Sequence, residues 1–268
     1  MKTFETLLLE KNNDVLTVWL KREEKGNSIN MVMIKELIEL TEYLRVESEI
    51  NFVIFTNEGR FFSTGYDLNE LYDISQGEKE VSKQFKLMQI LGQEMIQKLE
   101  NIEQVTIAAL SGSAYGGGVA IAMAADFRLI SNDSLLNLPE TNIGMFLSWG
   151  CTPRLVKAVG ATKAKELIML CEDVTAEESL RLGLVNRIVS KEKMEDEVNR
   201  IVKTIRSKGQ LSIRMTKKLA NATVAGNIGD MNITEPELAE KMVLSGETKE
   251  MIMSFLERKK EKGNSLVE

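Results

Sequence analysis

The sequence predicts an α/β fold, with a core of alternating strands and helices and a largely helical C-terminal region. Strands and helices alternate over the first half of the 268-residue chain, which is typical of this class. Some of the strands are continuous apolar runs, as expected where both faces of a sheet are covered. After about residue 150 only one segment, 186–189, is predicted to be extended, and helical spacing dominates.

The elements of the first half are predicted in order along the chain. Two β-rich runs, 6–10 and 15–20, flank Asn12-Asn13-Asp14, a favourable hairpin turn. A helix follows, because one set of residues recurs at helical spacing: Ile34, Leu37, Ile38, Thr41 and Leu44. The later elements are an amphipathic helix and four apolar strands, two of them taken as a pair: helix 80–100, strands 52–56 and 105–110, and the pair 127–130 and 135–138.

The second half is predicted to be helical and packed onto the core, since no Pro/Ser/Gly-rich linker separates the halves. Helical spacing covers several segments: 162–170, 176–182, 191–207, 211–225 and 235–262. We place a soft boundary at 190 to 210, which gives a core of residues 1–200 and a helical region of residues 201–268.

Composition excludes several classes of function. The net charge is −6 and no dense basic run is present, so neither nucleic acid nor an anionic membrane is an expected partner. The start of the chain has no signal-peptide pattern, and the serines and glycines of the apolar stretch 105–125 argue against a membrane span. Cys151 and Cys171 form no CxxC pair and are expected to be reduced thiols of a cytoplasmic protein.

The chain contains no histidine. Ser-His-Asp triads, Cys-His pairs and histidine-based zinc sites are therefore excluded, and no metal site is expected. Proton transfer near neutral pH must come from another group with a tuned pKa, and a carboxylate is the first candidate.

Two glycine-containing turns follow predicted strands. One contains Gly65, after the strand that ends at residue 56, and the other contains Gly116-Gly117-Gly118, after the strand that ends at residue 110. Glycine permits positive φ and lets a ligand approach the backbone. The second turn leads into an apolar helix, so its N–H groups lie at the positive end of a helix dipole. Two N–H groups from separate turns, aimed at one point, would form an oxyanion hole, although each turn alone could be a tight connection or a phosphate loop.

These turns, at this separation, resemble motifs of the crotonase (enoyl-CoA hydratase/isomerase) superfamily. Residues 62–68 resemble its FxAGxDL segment, and residues 112–118 are similar to its GxAxGGG signature. Residues 26–30 resemble its N-terminal Asn-Ala loop, and 138–144 its PExxxG run. Residues 247–259 are similar to its final helix. The resemblance implies repeated ββα units in a spiral core, with C-terminal helices that build a homotrimer or a dimer of trimers.

The resemblance also implies an acyl-CoA thioester as substrate, with coenzyme A entering as part of it and no separate cofactor. The implied catalytic groups are the N–H groups of Tyr66 and Gly117, which hold the thioester oxygen, and the carboxylate of Glu140. The implied substrate-binding residues are Lys25, Ser28, Ser63, Gly65, Asp67, Leu68, Tyr115, Gly116, Pro139, Phe255 and Arg258.

The sequence departs from the hydratases of the family at a second catalytic position. Hydratases carry a glutamate three residues after the middle glycine, where this chain has Ala120. Two carboxylates suit the addition of water, whereas one suits a proton shuttle between C2 and C4. A single Glu140 therefore resembles the Δ3,Δ2-enoyl-CoA isomerases. Residues 147–151 are also bulkier than the glycine-rich stretch of hydratases at this point.

Other interpretations stay open from the sequence. The same scaffold could carry a hydratase, a dehydratase or an acyl-CoA decarboxylase, or an inactive CoA-binding protein. Ser148 and Cys151 could act in a hydrolase or transferase variant, and Asp67 could stabilise its turn rather than act as a base.

Overall fold

The computed structural model describes residues 2–76 and 81–225, together with 240, 244, 246, 249, 250, 252, 253, 256 and 257. Most of the predicted helix at 235–262 therefore lies outside the described residues, and so do Phe255 and Arg258. No helix of the described part is both long enough and apolar enough to cross a membrane.

Four successive units of two strands and a helix form the core, so the predicted repeated ββα architecture is confirmed. The first unit comprises β1 (Leu7–Asn12), β2 (Val15–Leu20) and α1 (Met31–Val46). The second comprises β3 (Phe52–Asn57) and β4 (Phe61–Ser63) and has two helices, α2 (Leu68–Gln76) and α3 (Val81–Asn101). The third comprises β5 (Val105–Leu110), β6 (Ser113–Tyr115) and α4 (Gly117–Ala124). The fourth unit comprises β7 (Phe127–Ser131), β8 (Leu135–Asn137), α5 (Cys151–Leu170). The chain continues through β9 (Val174–Thr175), α6 (Ala176–Arg181), β10 (Arg187–Val189), α7 (Met194–Arg206), α8 (Gln210–Ala225).

The strands form two sheets. A six-stranded sheet has the order β1-β2-β3-β5-β7-β10 and is parallel except for the β1–β2 hairpin. A four-stranded sheet has the order β4-β6-β8-β9, in which β4, β6 and β8 run parallel. From the second unit on, the first strand of each unit enters the large sheet and the second enters the small one. The small sheet therefore aligns the turns that follow β4, β6 and β8.

Both faces of the large sheet are covered, as its apolar strands predicted. Within β3, Val53 and Phe55 face the main core, whereas Phe52 and Ile54 pack with α7. The apolar face of α7 thus joins the core through residues on both sides of position 200, such as Val198 and Ile201. A domain boundary at residue 200 would divide this helix.

Some elements differ from the sequence prediction. The runs 127–130 and 135–138 do not pair with each other, because β7 belongs to the large sheet and β8 to the small one. The helix expected at 162–170 begins at Cys151 and is interrupted at Gly160, where φ is +79°. The short strands β4, β6 and β9 were not predicted, because two or three residues are too few to show an alternation of apolar and polar side chains. The helix α2 was also not predicted.

Candidate active site

The two glycine turns meet at one point of the structure. Strands β4 and β6 pair in parallel, with Ser63 opposite Ala114, so the turns that follow them lie at the same edge of the small sheet. Gly65 has φ of +84°, and a β-carbon built on it would lie 3.0 Å from Tyr115 O and 3.5 Å from the nitrogen of Gly117. Glycine at position 65 is therefore required by both its conformation and its close approach to the second turn.

Two backbone N–H groups are available where the turns meet. The bonds from Ile29 N–H to Gly65 O (2.8 Å) and from Asp67 N–H to Ile29 O (2.8 Å) fix the chain on both sides of Tyr66. Gly117 is the first residue of α4, where N–H groups have no partner inside the helix. Among the described residues neither Tyr66 N–H nor Gly117 N–H has an acceptor, and both residues line the same cavity. This arrangement can hold a developing oxyanion.

The side chain of Glu140 reaches this point from the third aligned turn. Pro139 and Glu140 follow β8, and Glu140 begins a short 3-10 helix that ends at Gly144 in the left-handed conformation. Glu140 Oε1 lies only 2.5 Å from where a β-carbon on Gly116 would be. The other oxygen, Oε2, is enclosed and has no hydrogen-bond partner among the residues that the structure describes. Burial raises the pKa of the Glu140 carboxyl to about 7, so it can exchange a proton near neutral pH.

Asp67 is held in a polar cluster beside the hole. Its Oδ2 accepts from Arg22 Nη2 at 2.9 Å and from Ser28 Oγ at 3.2 Å, and its Oδ1 accepts from Asn69 N–H at 3.1 Å. Burial alone would raise the pKa of Asp67, but the hydrogen bond and charge of Arg22 outweigh it and hold the pKa below its usual value. A carboxylate so engaged positions the Tyr66 turn rather than acting as a base.

We expect Asp67→Ala to lower the free energy of unfolding by about 3 kcal/mol, because it leaves Arg22 buried without its anionic partner. Chemical denaturation followed by circular dichroism measures this change. The matched control is Glu166→Ala, which removes a more exposed ion pair with Lys163 and should cost less than about 1 kcal/mol. Equal effects of the two substitutions would contradict a structural function for the Asp67 cluster.

A cavity of about 750 Å³ opens at the meeting point of the turns. It is lined by most of the residues singled out from the sequence: Lys25, Ser28, Gly65, Tyr66, Asp67, Leu68, Tyr115, Gly116, Gly117, Pro139 and Glu140. Ser63 differs from its expected place on the ligand path. Its side chain is fully buried and lies against Gly118, and its Oγ accepts a hydrogen bond from Gly65 N–H at 3.2 Å. Ser63 therefore stabilises the turn and does not face the cavity.

Sequence reasoning assigned no function to several residues of the site. Arg22 pairs with Asp67 across 45 positions. Trp149 and Gln89 line the cavity, and Trp149 lies against Gly92, where an added β-carbon would overlap the indole. Gly92, inside the long helix α3, was the sequence feature that could have indicated the contact with Trp149, because a glycine within a helix often allows another group to approach closely. Ala120 also lines the cavity, in the middle of the apolar helix α4.

Known proteins of one family are similar to this chain over nearly its whole length. The family described as enoyl-CoA hydratase/isomerase matches residues 10–264. A crotonyl-CoA hydratase of Syntrophomonas wolfei is 30% identical over 258 residues, which are 96% of this chain and 97% of the relative. Similar solved structures include an enoyl-CoA hydratase of Bacillus anthracis (26% identity, TM-score 0.76, 90% of this chain and 92% of that one). They also include a monofunctional enoyl-CoA isomerase of M. smegmatis (26% identity, TM-score 0.69, 85% and 98%).

Proposed function

The chain belongs to the enoyl-CoA hydratase/isomerase family, and we propose that it shifts the double bond of a 3-enoyl-CoA to give the 2-enoyl-CoA. One observation carries this proposal: among the described residues that line the cavity, Glu140 is the one enclosed carboxyl group that has no charged partner. The CoA portion enters as part of the substrate, and the mechanism needs no separate cofactor. Assembly into trimers stays a prediction.

The proposed reaction begins when the N–H groups of Tyr66 and Gly117 polarise the thioester C=O. Glu140 removes a proton from C2, and the negative charge is delocalised from the thioester oxygen to C4. The protonated Glu140 then returns the proton at C4, which forms the C2–C3 double bond and restores the carboxylate. A pKa of about 7 suits both halves, because the group must accept and release the same proton.

The surroundings of Glu140 favour a shuttle over the addition of water. The position of the second hydratase glutamate is Ala120, which is buried and apolar. The other carboxylates that line the described part of the cavity are Asp67, held by Arg22, and Glu24, which is exposed. Asp67 already accepts hydrogen bonds from Arg22, Ser28 and Asn69, and Glu24 is open to solvent, so neither supplies a second enclosed base for the activation of water.

Hydration is the second candidate function, because relatives at 30% identity include enzymes named hydratases. Decarboxylation of an acyl-CoA and binding without catalysis use the same scaffold and are further alternatives. The chain keeps Gly65 and Gly117 in the two turns that form the oxyanion hole, and it keeps Glu140. Their retention argues against an inactive binding protein.

A side-by-side assay with 3-hexenoyl-CoA and crotonyl-CoA tests the proposal. We expect rapid formation of the conjugated thioester from 3-hexenoyl-CoA, measured by its ultraviolet absorbance, and hydration of crotonyl-CoA near the uncatalysed rate. Comparable rates on the two substrates would establish the hydratase instead. The absence of both reactions, in protein shown by circular dichroism to be folded, would leave the binding protein or the decarboxylase.

A further inference from the structure

The segment that carries Glu140 is too short to fix its own orientation. This segment, the Glu140 turn, comprises residues 139–145, and its helical part is the single 3-10 turn Glu140–Ile143. Its backbone hydrogen bonds, such as that from Asn142 N–H to Pro139 O at 3.0 Å, join residues of the turn to one another. One turn of 3-10 helix has little stability by itself. Contacts with other elements must therefore determine where the Glu140 carboxyl group lies.

Thr141, the residue directly after Glu140, makes one such contact. Its Oγ1 donates a hydrogen bond to Ile168 O at 2.9 Å. Ile168 lies in the last turn of α5, where carbonyl groups have no partner inside the helix. The same hydroxyl lies 2.9 Å from Sγ of Cys171, which follows α5 in the left-handed conformation. Thr141 is not among the described residues that line the cavity, so it ties the Glu140 turn to α5 from outside the substrate site.

Asn137 makes a second contact on the other side of Glu140. Its Nδ2 donates to Cys171 O at 2.9 Å and to Asp173 Oδ1 at 2.8 Å. Its backbone carbonyl accepts a hydrogen bond from Gly116 N–H at 2.9 Å, in the turn that carries the oxyanion hole. Asn137 lines the cavity, but both hydrogens of its amide are already engaged. It therefore links the hole to the segment that follows α5.

The two contacts flank Glu140 and end on the same segment, residues 168–173. A base must lie within about 3–3.5 Å of the atom that it deprotonates, and a misplacement of about 1 Å can cost roughly 100-fold in rate. Resting on the proposed function of Glu140 as the base, we propose that Thr141 and Asn137 are positioning residues. They hold the Glu140 carboxyl group at the oxyanion hole by fastening the Glu140 turn to the end of α5.

Substitution of Thr141 tests the first contact. Thr141→Val removes the hydroxyl group and keeps the shape of the side chain, so kcat is expected to fall about tenfold or more while KM stays within about twofold. Thr141→Ser keeps the hydroxyl group and should retain kcat within about threefold. Steady-state kinetics use whichever of 3-hexenoyl-CoA and crotonyl-CoA the unmodified enzyme converts. An equal loss of kcat in the two variants would mean that the hydrogen bond to Ile168 does not hold the turn, which would overturn the inference.

Thr56→Val is the matched control. Thr56 Oγ1 also donates to a carbonyl group of another element, Ala109 O at 3.0 Å, and Thr56 lies in the large sheet with 6% exposure. Its substitution removes the same kind of bond away from the cavity and should keep kcat within about twofold. If Thr56→Val and Thr141→Val lose kcat equally, a general loss of stability explains both and the positioning by Thr141 is refuted.

Asn137→Leu tests the second contact, because leucine cannot donate to Cys171 O or Asp173 Oδ1. We expect kcat to fall about tenfold, with KM within about twofold. A rise in KM with unchanged kcat would show that the Asn137 side chain contacts the substrate and does not position Glu140.

Infrared spectroscopy follows the Glu140 carboxyl group without catalysis. Because burial raises the pKa of Glu140 to about 7, a protonated carboxyl band should be present at pH 6, disappear at pH 8 and be absent from Glu140→Gln. In Thr141→Val the carboxyl group leaves its enclosure and its pKa falls, so the band should weaken at pH 6. A loss of kcat with an unchanged band would mean that Thr141 does not act through the position of Glu140.

The outcome separates from that of the proposed function. A weakened Glu140 band in Thr141→Val, in an enzyme that does not isomerise 3-hexenoyl-CoA, would refute the isomerase and support the positioning. Isomerisation that is abolished by Glu140→Gln but unaffected by Thr141→Val and Asn137→Leu would support the isomerase and refute the positioning.

Discussion

Replacing Glu140 by glutamine is expected to lower kcat for 3-enoyl-CoA isomerisation by about three orders of magnitude. The amide has the same shape but cannot accept the C2 proton, while the N–H groups of Tyr66 and Gly117 remain in place. KM should therefore change little, and steady-state assays of thioester conjugation separate the two constants. A variant that keeps more than a tenth of the kcat would exclude Glu140 as the base.

The pH profile of the unmodified enzyme provides an internal check on the same residue. Only the ionised carboxylate can abstract a proton, and burial raises the pKa of Glu140 from 4.5 to about 7. The value of kcat/KM should consequently rise about tenfold per pH unit below 7 and level off above it. A profile flat from pH 5 to 8 would mean that another group limits the reaction.

The Glu140→Gln variant should be less active than the unmodified enzyme but more stable to unfolding near neutral pH. A carboxyl with a raised pKa in the folded state binds its proton more tightly there than in the unfolded chain, so the contribution of Glu140 to stability is fully present below pH 4.5 and is lost as the pH rises through 7. Glutamine does not ionise and avoids this loss. Relative to the unmodified enzyme, the variant should gain about 3 kcal/mol of unfolding free energy between pH 4.5 and pH 8. Denaturant titrations at the two pH values measure the gain.

The positions of the main residues of the candidate site were predictable because they rest on local rules. Gly65 and the Gly116–Gly118 run follow strands, where glycine marks a turn with positive φ or close backbone approach. Glu140 was identified through the resemblance of its segment, and the structure supplies what a segment cannot, namely the enclosure of its carboxyl and the contact with Gly116.

The features that escaped prediction depend on contacts between distant segments. The sequence gives no sign that Arg22 pairs with Asp67, since each could equally be a solvated surface charge. Trp149 reaches Gly92 and Gly117 only after α3, α4 and the segment before α5 have packed together. The assignment of β7 and β8 to separate sheets is likewise a tertiary property, because it depends on which strands they pair with and not on the residues of either strand alone.

Gly65→Ala is expected to reduce kcat/KM by a factor of about 100 or more. The new methyl group would lie 3.0 Å from Tyr115 O and 3.5 Å from the nitrogen of Gly117, so it would separate the two turns that carry the hole. The loss of one oxyanion donor typically costs 10² to 10³ in kcat, and a widened hole weakens both donors. The substitution also places an alanine at φ of +84°, which costs about 1–2 kcal/mol of stability.

A matched substitution separates the strain from the effect on the hole. Gly183 has φ of +75°, but an added β-carbon there meets no atom within 4 Å. Gly183→Ala should therefore lose similar stability and keep its kcat/KM within about twofold, because it carries the same backbone strain away from the cavity. Enzyme kinetics and thermal unfolding of both variants provide the comparison. If Gly183→Ala inactivates the enzyme as strongly as Gly65→Ala, reduced stability and not the geometry of the hole explains the loss; if neither does, the Tyr66 and Gly117 N–H groups do not stabilise the transition state.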